Sequence, residues 1–68
     1  MTATPTKEAQ HLQPGDVWIH AGMVRYAVET MTPVGHLGTY VEVTSLQQGK
    51  PDNVRVDKVP ARAPYEVP

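Results

Sequence analysis

The stretch PGDVWIHAGMVRYAV, residues 14–28, decides how this chain reads. It opens on Pro14-Gly15, a turn pair, and runs into Val17, Trp18 and Ile19, all good strand formers. Ala21 to Met23 is a tight connection in which Gly22 can take positive φ. Beyond it Val24, Tyr26 and Val28 alternate with Arg25, Ala27 and Glu29, the period of two that marks a half-buried strand. Two strands around a short glycine connection make a hairpin, and the rest of the chain extends it.

Downstream, TYVEVTS (39–45) alternates again, with Val41 and Val43 on one side and Tyr40, Glu42 and Thr44 on the other. QQGKPDN (47–53) reads as a turn by composition, and Val54-Arg55-Val56 as a short fourth strand. No useful window places apolar residues at the 3.6-residue spacing of a helix, so the expected class is all-β, with four to five short antiparallel strands. So small a sheet cannot hide both faces while flat, and bending it into a small barrel is the economical solution. The expected interior is Val17, Ile19, Val24, Tyr26, Val28, Val41, Val43, Val54 and Val56, with Leu12 and Val59 sealing the ends. Around the barrel (12–59) the reading places a flexible N-terminal arm (1–11) and a Pro-rich extended tail (60–68), PARAPYEVP. A short helical turn over Lys7 to Leu12 is the structured alternative for the arm.

Sixty-eight residues make one small domain with a modest core. The absence of cysteine removes disulfides, thiolate nucleophiles and cysteine-based zinc sites. The polar start MTATPTKEAQ does not look like a secretory signal, and no apolar run approaches bilayer length, so a soluble, cytoplasmic protein is expected. Six basic against seven acidic residues leave a net charge of −1, which disfavours a nucleic-acid partner.

The order of features resembles the N-terminal KOW-like, SH3-like barrel domain of the translation elongation factor P family. The matching residues are the opening Leu12, Pro14, Gly15 and Asp16, then Gly22 before Tyr26, Val28 and Glu29. They continue with Pro33, Gly35 and Gly38 at a hairpin tip, Tyr40, Val41 and Val43 in the third strand, and Gly49-Lys50 before the fourth. The likeness covers about two-thirds of the chain and implies an isolated SH3-like barrel. Where that family carries a tip lysine directed at the ribosomal reaction centre, this chain has His36 in a loop one residue longer. The family's function is therefore not transferred.

Trp18 lies between Val17 and Ile19 and faces away from them. If those two point inward, the indole joins Met31 and Tyr40 on an outer surface suited to a protein partner, with His36 at the tip beside it. The other reading has the arm or the tail fold over Trp18, with Tyr65 as its cover. His36 itself reads as a hairpin-tip residue, an exposed partner contact or, less simply, a titratable group, since no carboxylate, serine or cysteine accompanies it in sequence. His11, His20 and His36 lack ligand-like spacing, so no metal and no cofactor is expected. No nucleophile stands beside a base and no phosphate-cradling loop precedes a helix, so no catalytic residues are assigned. The reading is a non-enzymatic module that docks on a protein, of the accessory or inhibitor type. RNA or ribosome association through Arg25, Lys50, Arg55 and Lys58 is the alternative, and homodimerisation through an edge strand is a third arrangement.

Overall fold

The computed structural model describes residues 4–68. Six strands follow in order: β1 (Thr6–Glu8), β2 (Val17–His20), β3 (Val24–Val34), β4 (Tyr40–Gln47), β5 (Lys50–Pro60) and β6 (Pro64–Glu66). β2, β3, β4 and β5 form an antiparallel four-stranded sheet in that spatial order, while β1 and β6 pair with each other as a separate ribbon. The molecule measures 36 × 33 × 17 Å. Its thin dimension suits two β layers spaced about 10 Å apart with their side chains. The fold is all-β, antiparallel and barrel-like, and no helix among the described residues is long and apolar enough to cross a membrane.

Local chemistry sets the connections. Gln13 to Asp16 is a turn closed by Asp16 N–H donating to the Gln13 carbonyl at 2.9 Å, with Pro14 second and Gly15 third at φ +95°. That is the proline–glycine pattern of a type II turn. The Asp16 carboxylate accepts from the Gln13 N–H at 2.9 Å and from Lys7 Nζ at 2.8 Å. The lysine bond, then the backbone N–H, holds this carboxyl below its usual range, and the ion pair ties β1 to the head of β2. Between β2 and β3, Met23 N–H closes a turn onto the His20 carbonyl, with Ala21 at φ +52° and Gly22 at φ +71°. Two successive positive φ values make it type I′, the twist-compatible hairpin turn.

The strands lie where alternation places them, but half of them face otherwise than expected. The core holds Ala9, Leu12, Trp18, Tyr26, Val28, Val41, Val43 and Tyr65, with Ser45 buried among them. Trp18 is 4% exposed, which corrects the outward assignment and moves Val17 and Ile19 to the opposite, half-buried face. The cause is register: Trp18 stands directly opposite Tyr26, and opposite residues share a face. Val54 and Val56 were expected inside and are 53% and 57% exposed. Val43 pairs with Asp57 and Ser45 with Arg55, so the odd-numbered residues of β5 turn inward. Met31, expected outside, sits half-buried against the core, because a register shift between Val28 and Thr30 absorbs Glu29 and inverts the alternation beyond it. The expected turn over 47–53 contracts to Gln48 and Gly49, and β5 begins at Lys50.

The flanks pair with each other, the extended tail contributing the short strand β6. Lys7 pairs with Tyr65 and Glu8 with Pro64, and Ala9 and Gln10 donate to the Ala63 and Ala61 carbonyls at 2.9 Å. A single 3-10 turn, Ala9–His11, follows β1. This ribbon brings Ala9, Leu12 and Tyr65 onto the sheet's inner side, so the part of the expected arm from Thr6 onward joins the tail as the second layer. Residues 1–3 of that arm lie outside the described residues.

Candidate functional site

β2 and β5 are the two edges of the sheet, and a cleft of about 370 Å³ lies between them, flanked by β6. Its lining includes Trp18, His20, Arg55, Asp57, Ala63 and Tyr65. The indole stacks on Tyr26 with centroids 4.9 Å apart and planes 16° apart, and meets Tyr65 edge-on at 4.8 Å. Its Nε1–H donates to Ser45 Oγ at 2.9 Å, so the polar end of the buried ring is satisfied inside the core.

Arg55 spans the opening. Its guanidinium carbon lies 5.6 Å from the Trp18 ring centroid and 5.9 Å from that of Tyr26, within cation–π range. Nε donates to both oxygens of Asp57 at 3.1 and 3.0 Å, and Nη1 reaches His20 Nε2 on β2 at 3.5 Å. The Asp57 bond is the main cause that raises the guanidinium pKa. Burial, helped by the neighbouring Asp57 carboxylate, pushes the Tyr65 phenol up to about 12. The cleft thus contains a neutralised ion pair over aromatic rings already engaged with one another. No cluster of three or more His, Asp or Glu side chains that could hold a metal forms among the described residues.

The residues expected to meet a partner do not converge. Trp18 and Met31 face inward, Tyr40 is half exposed on the outer face of β4, and His36 is exposed at the β3–β4 tip. At that tip Leu37 adopts φ +58° between Gly35 and Gly38 and is 88% exposed. The four cations disperse as well. Arg55 turns inward to Asp57, Lys58 faces Glu42 across the strand pair, and Arg25 and Lys50 lie toward the opposite end of the sheet.

What the structure brings together is a different set, on β5. Among the described residues its backbone pairs with β4 alone, at Lys50 and then regularly from Val54 to Pro60, with a register shift that skips residues 51–53. Ala61 N–H donates to the Thr39 carbonyl at 2.9 Å, which fixes the phase of the ladder. By antiparallel alternation, residues 55, 57 and 59 bond inward to β4, while Val54, Val56 and Lys58 aim N–H and C=O away from the sheet. Pro60 falls in the outward phase, where its missing N–H costs β4 nothing. One row of the outer face beside this edge is apolar, Val17, Ala27, Leu46 and Val54 across all four strands, and Val56 stands in the next row beside Thr44. The signal for this face was the strand Val54-Arg55-Val56, whose valines were expected inside. Set beside known proteins, the chain matches no family model, no curated protein and no solved structure.

Proposed function

We propose that this chain is a small non-enzymatic binding module that takes an extended segment of a protein partner onto the free edge of β5. The observation that carries this reading is the strand β5, which among the described residues pairs on one side only and runs regularly from Val54 to Pro60, with Val54 and Val56 more than half exposed. Edge strands of this length are ordinarily shortened, charged or covered, because their unpaired amides and carbonyls template another strand. An added strand gains affinity from main-chain bonds and specificity from alternate side chains. In the same proposal the barrel is of the SH3-like, KOW-like kind, and it acts as an accessory protein by occupying a partner's extended segment.

Val56→Pro tests it. Proline at 56 removes an outward N–H and leaves the β4 ladder its donors. Peptides selected from a displayed random library against the wild-type chain should bind at least 10-fold more weakly to V56P, with the β-sheet circular dichroism unchanged. Selected peptides that bind V56P as well as wild type overturn the edge reading. Selection of no peptide, together with RNA affinity that falls steeply with salt, overturns it in favour of a nucleic-acid partner.

A further inference from the structure

The geometry points to a second copy of this chain as the occupant of the β5 edge, the two strands meeting antiparallel about a dyad at Val56. This rests on the edge reading above and adds the identity of the strand that is captured. A two-fold interface must be self-complementary, each residue i facing j where j faces i. Because Val54, Val56 and Lys58 present outward bonds, the ladder forms only when these residues face one another, and charge then selects among the registers.

With Val56 on the dyad, Val56 faces Val56 of the second copy and Val54 faces Lys58, while Arg55 faces Asp57 and Asp57 faces Arg55. Opposite charges therefore meet twice on the inner side, next to the Arg55–Asp57 pair each chain already makes at 3.0 Å. Moving the dyad one residue toward the N-terminus sets Arg55 against Arg55. Moving it one residue the other way sets Asp57 against Asp57. Both neighbours place like charges directly opposite, which is destabilising. Pro60 lacks the outward N–H that would extend the ladder, and the register shift that skips residues 51–53 breaks the regular strand before Val54, so the ladder is confined to the segment between, where about six backbone bonds can form. The outcome is one continuous eight-stranded sheet in which Val56 meets Val56 on the outer face and each row ending at Val54 abuts Lys58 of the second copy.

Sedimentation equilibrium from about 1 μM to 1 mM reads the association, and the absence of native cysteine permits clean site-directed cross-linking. V56P should weaken dimerisation at least 100-fold with its circular dichroism retained. In V56C, the introduced thiols stand about 5.5 Å apart at Cα across the dyad and couple readily through a short bismaleimide. In V54C they are displaced by four residues, about 13 Å, and should couple at least 10-fold less. A wild-type chain that stays monomeric at the highest concentration overturns the self-pairing. If the library-selected peptides still discriminate wild type from V56P in that case, the edge reading survives it. Dimers that V56P leaves intact, or V54C coupling as well as V56C, place the contact elsewhere and also overturn the proposal.

Discussion

Replacing Ser45 by alanine should remove a disproportionate share of this protein's stability. Ser45 is fully buried, and its Oγ is the hydrogen-bond partner of the Trp18 Nε1–H at 2.9 Å. The substitution deletes one oxygen and leaves almost no cavity, so its cost is that of stranding an indole N–H away from water, about 1–3 kcal/mol. A chain of this length has about 3–10 kcal/mol of total stability. At about 4–8 °C per kcal/mol, Tm falls by about 4 °C at the least. Urea unfolding followed by circular dichroism gives the free energy, and a double-mutant cycle assigns it. Trp18→Phe removes the donor while keeping an aromatic ring against Tyr26. In that background Ser45→Ala should cost less than about 0.5 kcal/mol, because no N–H remains to be stranded. A wild-type Ser45→Ala loss under about 0.3 kcal/mol, or the same loss in both backgrounds, refutes the assignment of the indole to the core.

Two further outcomes are expected. Tyr65 titrates near 10 when unfolded but is pushed up to about 12 in the fold, so its contribution is complete below pH 10 and is lost as pH rises toward 12. The total is about 2–3 kcal/mol, and urea midpoints across that window should flatten in Tyr65→Phe; an unchanged slope contradicts the buried phenol. Ala21 holds φ +52° at the first central position of the β2–β3 turn, where asparagine is favoured. Ala21→Asn should therefore raise stability by about 0.5–1 kcal/mol in thermal unfolding, and a loss instead would argue against the type I′ geometry.

The strands were readable in the sequence because alternation and turn chemistry are local, but the direction each strand faces was not. The connection Ala21 to Met23 is legible at its right length, but its consequence for register is not: three residues put Trp18, not Val17, opposite Tyr26 and turn the indole inward. Glu29 does the same to Met31 through the bulge, and the phase of β5 does it to Val54 and Val56. Period two makes every such shift invert an entire strand. Arg55 compounds the difficulty, since a charge is expected in solvent and here covers aromatic rings while neutralised by Asp57. Tyr65 was readable as a cover for the indole, whereas its pairing strand, with Lys7 opposite, depends on contacts between residues far apart in sequence.

The pairing of Thr6 with Glu66 has a practical corollary. Since the first and last strands run side by side, a short linker could join the polypeptide into a circle, with a new opening made at Gln48-Gly49. Such a permutant would keep every strand pairing yet bind the β1–β6 ribbon covalently in place. Clipping the protein ahead of Glu8 would do the opposite, stripping Tyr65 of its neighbour and letting solvent reach the indole.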